Sequence, residues 1–408
     1  MLSPEEARGR VLEAVSAVVE EGCAVVEAAG RVLARPAVAV EAGPPYDASE
    51  MDGFAVRAAD VEAASEAAPV ELRVVLDLPA GRAPSAAIGA GQAARIMTGG
   101  NVPQGADAIV PRERAREGRE RVTVLAPASP GAHIRRRGED FGPGDALLPA
   151  GAVVGPGGLA LLISGGLERV AVRRRPVVAV LSTGDEVRYP GEPLAPGQIR
   201  NSNNAMISAL IAREGATPLD LGIVGDDRRA IEAKVAEALE AADAVVTTGG
   251  VSVGDHDFTK EAFAAAGVQL GFWKVAMKPG KPFAFGVRGS RAAFGLPGNP
   301  ASAFVTFVLL VAPALRKMLG RGDVAPAEVP VVLDEPVRPD SERRAYLRAR
   351  VRFGDDGRLR ARLAGSQRAG AIGPLARANA LAIVPPGRQA LAAGEVVKAH
   401  LLEPPEAA

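Results

Sequence analysis

The segment from Asp243 to Lys281, DAVVTTGGVSVGDHDFTKEAFAAAGVQLGFWKVAMKPGK, concentrates residue types that do chemistry on anions. A short apolar run breaks into a glycine-rich turn, Gly249-Gly250-Val251-Ser252-Val253-Gly254. Asp255, His256 and Asp257 follow at the expected start of a helix, and Lys274, Lys278 and Lys281 close the segment. Glycines let backbone approach a ligand closely, and a helix start offers free N–H groups to an anion. Carboxylates beside lysines can hold a divalent cation and a phosphate in one pocket. The combination points to a phosphorylated substrate. A solvated loop is the plain alternative, but lysine is rare here. Only Lys234, Lys260, Lys274, Lys278, Lys281, Lys317 and Lys398 occur, and arginine fills the ordinary surface role.

These residues need elements to position them, and the flanking sequence supplies an alternation. Apolar runs at 177–182, 217–224, 244–248 and 291–296 read as buried strands. Helical patterns at 202–214, 228–242, 257–266 and 300–319 separate or follow them. Such alternation predicts a doubly wound α/β domain with a mainly parallel sheet, whose ligands bind at the carboxyl ends of the strands. Four turns fall there: Thr183-Gly184-Asp185-Glu186, Gly225-Asp226-Asp227, Gly249 to Asp255, and Pro297-Gly298-Asn299-Pro300. The Gly249–Gly254 loop suits phosphate through a nest of N–H groups, with Ser252 adding a hydroxyl. Asn299 and Pro300 fit the N-cap and first position of the last helix, a second anion site. Glu186, Asp226 and Asp257 would repel one another if they converged, and Mg²⁺ is the natural remedy. Each carboxylate alone is more often a helix cap than a metal ligand. No G-x-x-x-x-G-K-[ST] occurs and no G-x-G-x-x-G follows a strand, which disfavours a P-loop and a dinucleotide fold.

The rest of the chain reads as further units. Pro4 to Glu21 has helical spacing of Val11, Val15, Val18 and Val19 behind Ser3 as N-cap. Strand-like runs from Val70 to Val124, broken by Gly and Pro, predict a β-rich domain. Strand-like runs after Asp323 predict a small C-terminal β domain. Composition excludes several classes. The 408 residues carry 48 Lys+Arg against 48 Asp+Glu, so no global charge argues for nucleic acid, and no polybasic run argues for a membrane surface. One cysteine, Cys23, rules out an intrachain disulfide, and three scattered histidines disfavour structural zinc. The N-terminus lacks an apolar signal region, and the apolar stretch Phe304 to Leu315 is too short to span a bilayer. A cytoplasmic protein is expected.

Eight motifs, in order, carry a resemblance: PPYDASEMDGFAV, RIMTGGNVPQGADAIV, RRRGEDFGPGD, STGDEV, QIRNSNN, TTGGVSVGDHDFTK, KVAMKPGKPFAFG and LPGNPASAF. Together they resemble molybdopterin molybdenumtransferases, the molybdenum insertases of the MoeA/gephyrin E-domain type, over nearly the whole chain. The resemblance implies that adenylylated molybdopterin and molybdate are substrates, that AMP leaves in a divalent-cation-dependent step, and that molybdenum stays on the dithiolene. It also implies an elongated homodimer of four-domain subunits. Their bounds are 1–40 with 131–172, then 41–130, 173–322 and 323–408. The site would lie between the α/β domain of one subunit and the β-rich domain of the other. Carried over by motif, Asp52, Thr98, Asp140, Glu186, Asp226, Asp257, Lys274 and Lys278 look like site residues, with Arg348 matched more loosely. Where the family commonly has Gln-Gly-Ser-Gly, this chain has Gln367-Arg368-Ala369-Gly370. A lone adenylyltransferase that prepares molybdopterin, and a binding scaffold, are the competing readings. Contacts with other molybdenum-cofactor proteins also fit the resemblance.

Overall fold

A computed structural model describes residues 1–250, 258–339, 342–388 and 390–407. Its centre is a six-stranded sheet. The strands Thr217–Val224, Val177–Thr183, Ala244–Thr248 and Arg291–Leu296 lie side by side in that order, all parallel. Their residues point alternately into two apolar layers, the pattern of a sheet covered on both faces. Val178, Val180 and Phe294 enter a core shared with the helices Pro4–Ala14, Asn203–Arg213 and Pro300–Met318. Ala179, Leu181 and Val245 enter the opposite core with Arg228–Ala241 and Thr259–Ala265. The doubly wound domain expected from the alternation is therefore present.

Two antiparallel strands, Ala284–Arg288 and Gln269–Trp273, extend the sheet beyond Arg291–Leu296. They were not visible as strands in the sequence, where Gly, Lys and Pro interrupt the segment. Phe272, Phe283, Phe285 and Phe294 cross-link this edge through ring contacts of 5.3 to 6.5 Å between centroids. Met277–Lys278 then leaves the sheet and pairs in parallel with Arg344–Ala345 of the C-terminal β unit. There the strands Arg344–Phe353, Leu359–Leu363, Glu328–Leu333, Val396–Leu401 and Ala380–Val384 close on themselves, because the first also pairs with the last.

The β-rich expectation for 70–124 also holds. Val70–Leu78, Gln92–Ile96, Ala108–Pro111 and Arg121–Val124 share a sheet with Gly53–Val56 and Ala115–Glu117. Its core is formed by Phe54, Val56, Leu72 and Val122 among others.

The first helix is shorter than its apolar spacing suggests. Ser3 caps it as expected, with Glu6 completing a capping box, but it ends at Ala14. Val15 adopts extended backbone, and Glu20–Ala24 pairs antiparallel with Arg169–Arg173 instead of continuing the helix. Valines at 15, 18 and 19 suit extended backbone as well as helix, so the pairing decides.

The last helix of the α/β unit runs longer than its most apolar stretch. Pro300–Met318 has the length and apolarity of a bilayer span, yet 83% of its most apolar window is buried inside the protein. It is a core helix. A π turn, Phe307–Val311, precedes Pro313, which lacks the N–H for Leu309 and crowds that carbonyl.

Phe294→Ala removes a fully buried ring from the centre of the larger core. Denaturant unfolding is expected to show a loss of about 3–5 kcal/mol. A loss below about 1 kcal/mol would mean that the aromatic edge refills the space.

Candidate functional site

All four strand-end turns meet at one cleft of about 440 Å³. Gly184 and Glu186, Asp226, Gly249 and Gly250, and Pro297 to Pro300 line it, with Arg200 to Asn203 closing a side. The strand register explains the convergence. Ser182 pairs with Thr248 and Ile223, and Thr248 pairs with Leu296, so the strands end level with one another. Gly249 and Gly250 have φ of +96° and +62°. A Cβ on Gly249 would sit 2.8 Å from the Thr183 carbonyl, and one on Gly250 would sit 2.6 Å from Thr259 Oγ1. Only glycine lets the third turn pack this closely against the first.

Under the cleft lies a buried polar network. Ser182 Oγ donates to Asn204 Oδ1 at 2.5 Å and lies 2.8 Å from Thr248 Oγ1. Asn204 Nδ2 donates to Asp220 Oδ1 at 2.7 Å and to the Gly222 carbonyl at 3.0 Å. Asn203 Nδ2 donates to the Gly298 carbonyl at 2.7 Å. Three strands, one helix and the last turn are thereby fixed relative to one another. Two buried oxygens on the cleft wall, Thr183 Oγ1 and Asn203 Oδ1, have no partner among the described residues. Sequence reasoning singled out neither. Their signal in the sequence is the STGDEV and QIRNSNN motifs.

The carboxylates differ in their work. Asp227 caps the helix Arg228–Ala241 by accepting from Ala230 N at 2.8 Å. Asp226 does not cap; its Oδ2 accepts from Asp185 N at 3.2 Å, and Asp185 Oδ1 accepts from Asp226 N at 3.0 Å. This reciprocal clasp locks the first two turns together. Glu186 and Asp226 both face the cleft. Their hard oxygen donors suit Mg²⁺. No group of three or more potential ligands gathers among the described residues, and Asp257, the third expected ligand, lies outside them, as do Ser252 and Gly254.

Two expected anion donors are engaged elsewhere. The Gly249 N–H donates to the Leu296 carbonyl at 3.1 Å, within the sheet edge. Asn299 holds the N-cap position before Pro300, but its side chain makes no capping bond, and the Ala301 N–H donates to the Ala369 carbonyl at 3.1 Å. The segment Gln367-Arg368-Ala369-Gly370 thus docks on that helix start.

The remaining expected residues do not line this cleft. Lys274 Nζ lies over the Trp273 ring, 3.6 Å from its centroid, Lys278 is half-buried on its short strand, and Lys281 is exposed. Arg348 is fully buried in the C-terminal unit. Its Nη2 donates to the Ser366 and Arg368 carbonyls at 3.0 Å each, while Nε and Nη1 have no partner among the described residues. Burial lowers its guanidinium below the ordinary value.

Asp52 and Thr98 come together, but in another place. Asp52 Oδ1 accepts from Thr98 N at 2.7 Å and from Thr98 Oγ1 at 2.8 Å. The Thr98 N–H, then its hydroxyl, hold the Asp52 carboxyl below its ordinary range. Asp52 lines a second cleft of about 310 Å³ with Arg95 and Arg112, which shares no residue with the first. Asp140 is exposed and ion-paired with Arg135.

Three family models match the chain in succession. They are the MoeA N-terminal region (domain I and II) over 2–166, a probable molybdopterin binding domain over 179–317, and the MoeA C-terminal region (domain IV) over 330–402. A molybdopterin molybdenumtransferase from Nostoc is 37% identical over 372 residues, 90% of this chain and 85% of that protein. Another from Bacillus subtilis is 36% identical over 386 residues, 94% and 90% of the two chains. Among solved structures, a molybdopterin biosynthesis MoeA protein from Pyrococcus horikoshii superposes with a TM-score of 0.82 at 32% identity, covering 99% of this chain and all of that one. With such identity along nearly its full length, the chain belongs to the molybdopterin molybdenumtransferase family.

Proposed function

We propose that this protein transfers molybdenum from molybdate to adenylylated molybdopterin and releases AMP, a step of molybdenum cofactor biosynthesis carried out in the cytoplasm. The observation that carries the reading is the meeting of four strand-end turns at one cleft, with Glu186 and Asp226 beside Gly249 and Gly250. Glu186 and Asp226, with Asp257, would hold Mg²⁺, which when bound neutralises the pyrophosphate of the substrate. Lys274, Lys278 and Lys281 supply positive charge for phosphate or molybdate. Ser252, Gly254 and Asn299 complete the substrate-binding set, with Arg348 supporting it from beneath the Ser366–Arg368 loop rather than by direct contact.

The separate cleft lined by Asp52, whose carboxylate Thr98 holds, supports an elongated homodimer. In it, the β-rich unit of one subunit, 41–130, brings Asp52 and Thr98 to the α/β unit, 173–322, of the other. Asp140 belongs to the same opposing wall, contributed by the discontinuous unit of 1–40 with 131–172; 323–408 forms the fourth unit. A lone adenylyltransferase would not need matched regions on both sides of the α/β unit, which disfavours that alternative.

Incubation with adenylylated molybdopterin, Mg²⁺ and molybdate is expected to release AMP in proportion to molybdate. Release that ignores molybdate would refute the reading. Glu186→Ala and Asp226→Ala are each expected to fold and to lower AMP release about a hundredfold or more, as for loss of an electrostatic contact made in the transition state. Turnover within a few-fold of wild type in both would remove them from the site.

Thr98→Val keeps the backbone N–H to Asp52 but deletes the hydroxyl. The Asp52 carboxyl should then titrate higher than in wild type while staying below its ordinary value. A depressed carboxyl adds stability above its unfolded pKa and loses it as pH falls through the folded one. The acid limb of unfolding should therefore move slightly toward neutral pH in the variant. Carboxyl NMR titration reads the shift directly, and an unchanged Asp52 titration contradicts the role given to the hydroxyl.

A further inference from the structure

Beside the cleft, two lysines share one aromatic ring. Trp273, the chain's one tryptophan, ends the strand Gln269–Trp273 and packs half-buried against the core under the helix Thr259–Ala265. Lys260 Nζ lies 3.7 Å, and Lys274 Nζ 3.6 Å, from its ring centroid. Both ammoniums are in direct contact range of the indole, the best cation–π partner among side chains. Thr259, the residue before Lys260, donates from Oγ1 to the Gly249 carbonyl at 3.2 Å and from N to the Gly250 carbonyl at 3.2 Å. The lysine pair is therefore tied to the wall of the cleft.

Several features make this arrangement costly unless an anion uses it. Like charges gathered over one ring repel, and an aromatic quadrupole holds a cation without cancelling its charge. Lys260 occupies the first turn of its helix, the end whose dipole disfavours a cation. Lys274 has φ of +75°, a left-handed backbone that non-glycine residues rarely adopt and that clusters at functional sites. A chain with only seven lysines among its 48 basic residues places two of them here.

We infer that Trp273 gathers Lys260 and Lys274 into one oxyanion-binding pair. Lys260 is a binding residue of the site, and Trp273 is the positioning residue for both ammoniums. The inference rests on the proposed function, in which Lys274 meets an anionic part of the substrates. Molybdate and the phosphates of adenylylated molybdopterin share the chemistry the pair would recognise.

The single tryptophan makes the test direct. Emission of the full-length protein is titrated with sodium molybdate and, separately, with sodium pyrophosphate. An oxyanion that binds the ammoniums held at the ring should change emission saturably, and the anion that does so identifies the source. Lys260→Ala should weaken that titration about fivefold or more. In the AMP-release assay, Trp273→Leu should raise KM for the responding substrate about fivefold with kcat changed less than about twofold, and Trp273→Phe should restore KM by keeping an aromatic face. No saturable emission change with either anion, wild-type titration by Lys260→Ala, or an unchanged KM in Trp273→Leu would each overturn the inference. If the wild-type protein releases no AMP, the transferase reading fails, and the emission titrations of the wild type and Lys260→Ala still decide whether the pair binds an oxyanion.

Discussion

Ser182 is the residue on which the site most depends. It lies buried at the end of the strand Val177–Thr183, with two asparagine side chains and a threonine hydroxyl within reach. A hydroxyl there would be expensive unpaired, and paired it fixes position as an apolar side chain cannot. Asn204 passes the constraint to Asp220 and Gly222, Asn201 Oδ1 accepts from Asn204 N at 3.1 Å, and Asn203 ties the helix to Gly298. Hydrophobic burial on the two faces of the sheet and the parallel strand ladder set the register that brings the four turns level. The polar network adds side-chain bonds of fixed direction at that end. Its members are acceptors and donors of fixed direction, so the cleft above them inherits their geometry.

A second constraint joins this sheet to the C-terminal unit. Met277–Lys278 pairs with Arg344–Ala345, and Tyr346, Leu381 and Ile383 of the C-terminal strands enter the same core as Phe294 and Phe307. The lysine-bearing segment is thus held at both ends: by the antiparallel strand Gln269–Trp273 before it and by the barrel strand beside it. Long cationic side chains lose much rotamer entropy when ordered, and a rigid backbone on either side reduces how much further ordering a bound anion requires. The same core ties the first helix to the sheet through Ala7, Val11 and Val15, so distant parts of the chain share one packing unit.

The parallel strands were legible because each is a short apolar run ended by Gly, Asp or Pro. The runs 217–224, 244–248 and 291–296 coincide with the observed strands. The antiparallel edge was hidden because Gln269–Trp273 is largely exposed and neither it nor the more buried Ala284–Arg288 carries a clean alternation; their neighbours, not their composition, make them strands. The first helix was overdrawn for the complementary reason, since valine spacing cannot tell a helix from a strand whose partner, Arg169–Arg173, lies far along the chain. At the site, Glu186, Asp226, Gly249, Gly250 and Asn299 were readable from strand-end position alone. Asp52 with Thr98 required a pairing across 46 residues, and Arg348 a fold of the C-terminal unit, neither of which local pattern contains.

The segment Gln367 to Gly370, which departs from the family's common Gln-Gly-Ser-Gly, shows why some substitutions are structurally quiet. Gln367 clasps the Arg348 backbone in both directions, accepting from its N–H at 2.9 Å and donating to its carbonyl at 3.1 Å. Ser366 and Arg368 engage the Arg348 guanidinium through main-chain carbonyls, and Ala369 reaches the helix start at Ala301 by its carbonyl as well. Of these contacts only the Gln367 clasp uses a side chain of the segment, and Gln367, like Gly370, is a position where this chain keeps the family residue. Arginine and alanine at 368 and 369 therefore preserve the docking of the loop, because the main chain performs it. What the change removes is a hydroxyl at 369, next to a buried guanidinium whose Nε and Nη1 have no partner among the described residues. The chain has kept the scaffold of that corner while altering its side-chain donors.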